Sequence, residues 1–549
     1  MGLNRDGECE ETCIACFGAL RCAIAMMLQP ASPSTASLLR SRVGRVCVAL
    51  QGKTLPELLE RAEAALPESR FLEFRLDSLE KPAAAVQPVA RFLEKARARL
   101  GEVAAIATCR RRAFGGGFRG TLAEELSILT QAARAGFSMV DVEIESAEEA
   151  SKTEWEKLRE AGASVLISFH DFSRTGDLDG VLARMRRYSP DFAKVVTTAE
   201  SLSDSLTVLR WLESRSDEAR LVGLAMGEQG LVSRILGLRA GSVFTFAAAP
   251  DGEATAPGQV TAHTQREMYR VEELDQATRI YGVAGNPVAH SLSPLMQNAA
   301  FRRERFNAVY LPLKVERMDD LLRVITELPL SGLSVTMPFK QEILPYLANL
   351  DPLSARLGAC NTVRLGADKR LYGFNTDVAG VVRPLERRMA LKGAKVLVLG
   401  AGGAARAAVY GLADKGAQVF VWSRNEALGA ELASAAGAQS MARAEIGDIR
   451  FDALVNATPC GMVGNPEPLP LQAEEWDAGI VFDLVYNPLE TPLLKMARRR
   501  GAVAIQGVEM FVQQGARQFE LWTGKPAPEA DMLRTVLFAL HKSQTADSK

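Results

Sequence analysis

The chain has 549 residues, 47% of them apolar, and its 65 Lys and Arg against 66 Asp and Glu leave a net charge of -1. That length implies about three or four domains, fewer where one is a large barrel; without a basic block nucleic acid is excluded as a partner, and no run approaches the ~18 apolar residues of a membrane span. Eight cysteines, mostly far apart, suit a reducing compartment better than a disulfide scaffold.

Residues 1–42 are rich in small residues, Pro and Ser and hold half of the cysteines. Cys9, Cys13 and Cys16 spell C-x3-C-x2-C, a spacing that can hold three irons of a four-iron cluster. No strand precedes or surrounds them to shield a cluster, so the segment is read as a disordered leading extension, with Met26 or Met27 as alternative starts. Arg and Ser without acids after Glu11 would suit a targeting peptide, but Glu8, Glu10 and Glu11 spoil the pattern, and a cytoplasmic location is expected ahead of a plastid.

From Arg45 to Gln259 short apolar runs alternate with charged helical segments. The runs are Val46–Leu50, Phe71–Arg75, Val103–Thr108, Met139–Glu143, Ser164–Phe169, Phe192–Val196, Leu221–Met226 and Val243–Phe246. Eight strands with helices between them predict an α/β fold, a (β/α)8 barrel. At the strand ends, where such barrels keep their chemistry, stand Glu73, Arg75, Asp77, Arg110, Asp141, Glu143, His170 and Asp171, with Lys194 inside the sixth strand. A lysine flanked by Phe192, Ala193, Val195 and Val196 is costly to bury as a charge. It is paired, snorkelling outward, or held neutral for attack on a carbonyl. His170, one of only four histidines, ends the preceding strand and favours the last of these, a Schiff-base role.

Residues 263–278 are polar and helical with no Gly/Ser tether, so the two halves are expected to sit close. A second α/β unit starts at Arg279 with strand Ile280–Val283, followed by Gly285-Asn286-Pro287 and His290-Ser291-Leu292-Ser293-Pro294. Strands Val309–Leu313 and Leu333–Thr336 follow, the latter running into Met337-Pro338-Phe339-Lys340, and then come the segments 358–362 and 373–377. Taken singly, each Ser or Asn reads as a cap or turn residue; together, just after apolar strands, they converge on one crevice.

Strand Val396–Leu399 then opens into Gly400, Gly402 and Ala405, the three positions of a G-x-G-x-x-[G/A] turn that brings backbone N–H groups to a pyrophosphate. The next strand, Gln418–Trp422, ends in Ser423-Arg424, where an NAD site usually carries an acid. A cation there suits a 2′-phosphate and selects NADP, unless Arg424 is only a solvated surface charge.

The motifs Glu73–Asp77, Thr108-Cys109-Arg110, Ser168–Phe172, Lys194, Met226–Arg234 and Thr255–Gln259 resemble type I 3-dehydroquinate dehydratase over residues 43–262. The resemblance implies that Lys194 forms an imine with the substrate's 3-keto group and that His170, a side chain that titrates near neutrality, moves the adjacent proton. It further implies that Arg234 grips the carboxylate, that Glu73, Arg75 and Arg110 orient the ring, that Thr255 and Gln259 close over it, and that no metal takes part. Phe114 departs from the family, which places a Glu there. Slower dehydration or altered loop closure is expected, with a silenced barrel left open.

Residues 279–545 resemble shikimate dehydrogenase, with Asn456-Ala457-Thr458, Asp483–Tyr486, Met510–Gln514 and Trp522-Thr523-Gly524 as supporting signatures. The resemblance implies a substrate-binding domain at 279–380, completed by 512–545, and a Rossmann NADP-binding domain at 381–511. Ser291 and Ser293 would hold the carboxylate, Thr336, Asn361 and Gln514 the hydroxyls together with Asp377, and Lys340 with Asp377 would be the catalytic pair. Gly400, Ala401, Gly402, Gly403, Ala404, Ser423, Arg424 and Asn456 would bind NADP. Ser334 for a frequent Asn and Gln297 for a frequent His are mild departures.

The two resemblances together imply a bifunctional enzyme of the shikimate pathway, converting 3-dehydroquinate to 3-dehydroshikimate and then shikimate, as a monomer or small homo-oligomer. A quinate-oxidising relative and a ligand-sensing regulator without catalysis are the rival readings.

Overall fold

The structure, a computed structural model, describes residues 35–215, 220–250, 254–289 and 291–546. Cys9, Cys13, Cys16, the alternative starts and His290 lie outside the described residues. Among the described residues no helix is long and apolar enough to cross a membrane.

Eight parallel strands make the first unit: β1 (Val46–Leu50), β2 (Phe71–Arg75), β3 (Ala104–Thr108), β4 (Met139–Glu143), β5 (Ser164–His170), β6 (Phe192–Thr198), β7 (Leu221–Met226) and β8 (Thr245–Ala248). They hydrogen-bond in the order β7-β6-β5-β4-β3-β2-β1-β8, and the N–H of Val243 bridges the remaining seam to Leu221 O at 2.8 Å. β1, β3, β4, β7 and β8 are buried at every residue, as expected where helices cover one face and the barrel's own interior the other. The last strand lies two residues beyond the expected Val243–Phe246. Ala247 and Ala248 have weak strand preference on their own, and pairing of Val46–Ala49 with Thr245–Ala248 draws them in.

The expected disorder does not extend over residues 35–42, and residues 1–34 lie outside the described residues. Thr35–Leu38 and Leu39–Val43 are helical, and Leu39 and Val43 pack on Cys47, Phe71, Leu166, Phe192 and Phe244 at the N-terminal mouth of the barrel. Thr35 and Ser164 share a hydroxyl hydrogen bond of 2.8 Å there. Apolar side chains that can seat against open aromatic faces are worth about 1.5–3 kcal/mol each, which decides for order over disorder.

The second unit is a six-stranded sheet ordered β10-β9-β11-β13-β14-β12, built from β9 (Arg279–Gly285), β10 (Ala308–Lys314), β11 (Leu330–Val335), β12 (Asn349–Leu350), β13 (Thr362–Leu365) and β14 (Leu371–Phe374). β10, β9 and β11 run parallel, and β13 is antiparallel to both β11 and β14. The third unit is all parallel, ordered β17-β16-β15-β18-β19-β20, with β15 (Lys395–Leu399), β16 (Gln418–Trp422), β17 (Gln439–Ser440), β18 (Arg450–Asn456), β19 (Asp477–Asp483) and β20 (Val503–Ile505). This is the doubly wound order whose ligand crevice opens beyond the strand ends, where β15 and β18 lead their helices to opposite faces. The closing helices Gly507–Thr523 and Glu529–Ala546 return to the second unit: Trp522 Nε1 donates to Val363 O at 3.1 Å, and Arg383 pairs with Glu520 at 2.8 Å.

The barrel and the second unit are packed directly together. Tyr269 and Val271 of the connecting segment are buried in an apolar cluster that runs from the barrel's helix layer into Ile280, Val309 and Leu333. Lys314 at the end of β10 meets Glu228, just past β7, at 2.7 Å, and Arg210 meets Glu327 at 3.0 Å.

Candidate active sites

The first site lies at the C-terminal ends of the barrel strands. Glu73, Arg75, Arg110, His170, Lys194, Arg234, Thr255 and Gln259, all expected from the sequence, line one cavity with Phe172, Met226 and Phe246. Lys194 is 3% exposed, its Nζ hydrogen-bonded to Asp141 Oδ2 and 4.7 Å from the centre of the Phe246 ring. Burial pushes the Asp141 carboxyl up, but Lys194 and then Arg110 outweigh it and hold it well below the usual carboxylate range. Beside it, His170 Nδ1 lies 3.0 Å from Glu143 Oε1, and Arg110 Nε lies 2.9 Å from Glu143 Oε2.

Burial, and after it the cations Arg110 and Lys194, hold His170 well below its ordinary value. This direction favours the uncharged imidazole, the form a general base needs. With Nδ1 donating to Glu143, Nε2 is left as the basic nitrogen. Burial pushes Glu143 up.

Arg234 is 1% exposed. Its Nη2 donates to Pro257 O at 3.2 Å, while Nε and Nη1 find no partner among the described residues, and burial lowers its pKa to about 10. A buried guanidinium with two unused donors is incomplete without an anion. Arg75 is instead paired with Asp77 at 3.0 and 2.7 Å, and Glu73 accepts from Thr108 Oγ1 at 2.7 Å. The carbonyl of the Gln259 side chain accepts from Thr255 N and Oγ1, both at 2.9 Å, which folds that loop onto itself.

Phe114 stands outside the cavity lining, its ring 4.9 Å from Arg111 Cζ. Arg111 is in turn paired with the buried Glu125 at 2.9 Å and with Glu149 at 2.9 Å, so the aromatic ring rests on an anchored cation. Its neighbour Gly115 does line the cavity, at φ +78°, and a Cβ there would come within 2.3 Å of the Phe172 ring, which stacks over His170 at 6.0 Å.

The sequence reading places Asp141 and Glu143 at the strand ends and Ser168 in a motif but gives none of the three a role. Their only signal is alternation: Asp141 and Glu143, two apart on a buried strand, must point the same way into the barrel.

The second site lies where the ends of β9, β11 and β13 meet the helices Asp377–Glu386 and Gly507–Thr523. Ser291, Ser293, Thr336, Lys340, Asn361, Asp377 and Gln514 line one cavity there with Ser334, Tyr486 and Gln518. Lys340 Nζ meets Asp377 Oδ2 at 2.6 Å, and Asn361 Nδ2 donates to Asp377 Oδ1 at 2.9 Å, so the carboxylate is fixed from both sides. Below them Tyr310 donates to Ser334 at 2.6 Å, Ser334 to Gln518 at 2.9 Å, and Gln518 to Thr362 at 3.1 Å. Tyr310 and Gln518 are further members that the sequence reading did not single out. Gln297 is fully buried, donates to Gly515 O at 2.9 Å and stays out of the cavity.

A third cavity opens beyond β15, β16 and β18, lined by Gly400, Ala401, Gly402, Ser423, Arg424 and Thr458 among others. Gly400 sits at φ +112° with Ala457 O 3.2 Å from a would-be Cβ, while Gly402 and Gly403 face open space. Bare backbone at the first turn of helix Gly403–Asp414 is what a dinucleotide's pyrophosphate needs, and the residues present fit such a group. Gly403 and Ala404 lie in that first turn without lining the cavity. Asn456 is fully buried beneath it, donating to Asp483 at 2.9 Å and accepting from Thr458.

Fold and sites together define a two-site enzyme, a lyase barrel joined to a dinucleotide-dependent oxidoreductase. Residues 46–276 match the family model for type I 3-dehydroquinase, 283–363 that for the shikimate dehydrogenase substrate binding domain, and 507–537 that for the shikimate 5'-dehydrogenase C-terminal domain. A bifunctional 3-dehydroquinate dehydratase/shikimate dehydrogenase, chloroplastic, of Arabidopsis thaliana is 32% identical over 507 residues, 88% of this chain and 83% of its own. A shikimate dehydrogenase (NADP(+)) of Methanosarcina acetivorans is 42% identical over 48% of this chain and 99% of its own. The crystal structure of shikimate 5-dehydrogenase from Thermus thermophilus in complex with NADP(H) and shikimate is 35% identical over 48% of this chain and 100% of that one, with a TM-score of 0.45. The chain belongs to the family of bifunctional 3-dehydroquinate dehydratase/shikimate dehydrogenases of the shikimate pathway.

Proposed function

We propose that the barrel dehydrates 3-dehydroquinate through an imine on Lys194 and that the C-terminal half reduces the product, 3-dehydroshikimate, to shikimate with NADPH. The observation that carries this reading is the meeting of buried Lys194, His170 and Arg234, the last with two unpaired donors, on one cavity. Arg234 would take the carboxylate. Lys194 would give up a proton of its ammonium and attack the ketone carbon as the free amine; the two protons lost from nitrogen leave with the ketone oxygen as water, and the protonated imine so formed acidifies the neighbouring C–H. His170 Nε2 would remove that proton and hand it back to the departing hydroxyl. Hydrolysis of the imine then frees the product and the lysine.

In the second site Ser291 and Ser293 would bind the carboxylate and Thr336, Asn361 and Gln514 the hydroxyls. Lys340, oriented by Asp377, would place its proton on the carbonyl oxygen as it becomes a hydroxyl. Residues 400–404 with Ser423 and Arg424 would hold NADPH, which supplies the hydride when bound. The buried free thiols Cys47, Cys109, Cys360 and Cys460 support a reducing compartment, and we assign the enzyme to the cytoplasm.

Borohydride reduction of the full-length protein with 3-dehydroquinate, read by mass on the Lys194 peptide and paired with NADPH oxidation from dehydroquinate alone, tests the whole reading. Adduct on Lys194 with NADPH consumption is expected. NADPH consumption only when 3-dehydroshikimate is supplied would leave the dehydrogenase and remove the dehydratase.

A further inference from the structure

Two guanidinium groups line the cavity beside Gly400 and Gly402, and each meets a carboxylate. Arg443 donates from Nε and Nη2 to Glu475 at 2.6 and 2.8 Å, and Glu475 stands outside the cavity wall. Arg424 differs, because its partner Glu467 is itself part of the wall, with Nη1 to Oε1 at 2.8 Å. The arginine is otherwise in the open, its side chain 82% exposed, with Glu467 as its ion-pair partner.

Glu467 comes from the loop after β18 and is flanked by Pro466 and Pro468. Proline on either side narrows the backbone, and the Glu467 N–H donates to Asn465 Oδ1 at 2.8 Å, while Cys460 Sγ lies 3.8 Å from Glu467 Oε2. The carboxylate is thus presented by a stiff segment from across the cavity rather than by a swinging tip.

We propose that Glu467 is a specificity-determining residue of the dehydrogenase: it competes with a nucleotide's 2′-phosphate for the Arg424 guanidinium and so narrows the preference for phosphorylated over unphosphorylated dinucleotide. A phosphomonoester carries about -1.5 to -2 charges near neutrality. To reach Arg424 it must displace Glu467 or sit beside it, and both outcomes weaken binding. A nucleotide with a free 2′-hydroxyl leaves the ion pair intact and incurs neither penalty. The inference rests on the assignment of this cavity to NADP(H).

The test uses the full chain and no turnover. Wild type, Glu467→Gln, Arg424→Ala and the double variant are titrated calorimetrically with adenosine 2′,5′-bisphosphate and with adenosine 5′-monophosphate. Glu467→Gln is expected to bind the bisphosphate roughly fivefold more tightly and the monophosphate unchanged, with the gain absent in the Arg424→Ala background. No gain for the bisphosphate, or an equal gain for both nucleotides, overturns the proposal while leaving the cavity assignment standing. Bisphosphate affinity unmoved by Arg424→Ala overturns the assignment and the proposal together. Glu467→Asn repeats the measurement with a shorter amide should glutamine disturb the proline-flanked loop.

Discussion

Lys194 Nζ and Asp141 Oδ2 form a buried ion pair across the barrel interior, from β6 and β4, the two strands that flank β5. Alternate strands supply the side chains of one interior layer, so these two residues share a layer although 53 positions separate them. The aspartate fixes where the lysine's nitrogen lies and balances its charge.

Asp141→Asn removes that balance and is expected to lower the barrel's unfolding free energy by about 3 kcal/mol and to cut trapped adduct at Lys194 sharply. A carboxyl held below its usual value contributes stability that is fully present above about pH 4 and fades only as pH falls through the lower folded value. Urea unfolding should therefore show the same gap between wild type and variant at pH 6 and pH 8. A gap that closes between those two values would contradict the pairing.

The depressed His170 predicts a pH profile. An ordinary histidine would be half protonated near pH 6.5, whereas dehydratase kcat/KM here is expected to stay level from pH 8 to about pH 6, the base remaining free. An inflection at about 6.5 would show that the imidazole is not shielded.

Arg234 sets stability against activity. Arg234→Met replaces an unsatisfied buried cation by an apolar side chain, so the ligand-free enzyme is expected to gain about 2 kcal/mol while dehydratase kcat/KM drops about 100-fold or more. Loss of stability in calorimetric melting would mean that the guanidinium is already balanced without substrate.

The two halves should fail separately. Lys340→Met is expected to lower shikimate oxidation by about 100- to 10,000-fold while leaving dehydratase turnover and calorimetric nucleotide binding unchanged, because the two substrate cavities share no residue. A parallel fall in dehydratase rate would reveal coupling that the separate linings do not account for.

Much of this was legible in the chain. Eight apolar runs declare eight strands because parallel strands dry on both faces can tolerate little else, and Lys194 stands out as the charge inside one of them. What could not be read is who faces whom. Asp141 and Glu143 are visible as acids, but their partnership with Lys194 and His170 comes from register between strands far apart in sequence, and His170's shift comes from the cations which that register gathers. β13 and β14 escape notice for a different reason: TVRL and LYGF are four residues each, too short for a period to stand out, and hairpin pairing with β11 alongside makes them strands. Glu467 gives no local signal at all, since its meaning depends on the loop folding back toward Arg424.

The helical turns at Thr35–Val43 matter for anyone who cuts this gene. A fragment begun at Arg45 would retain every proposed reacting group yet have an open shaft at its base, wetting Phe71, Phe192 and Phe244, rings that stack edge-on at 5.1 and 6.0 Å. Losing Leu39 and Val43 from that packing forfeits about 3–5 kcal/mol, a large part of an ordinary domain's margin. A useful piece for expression or fusion keeps Thr35–Val43 ahead of the first barrel strand.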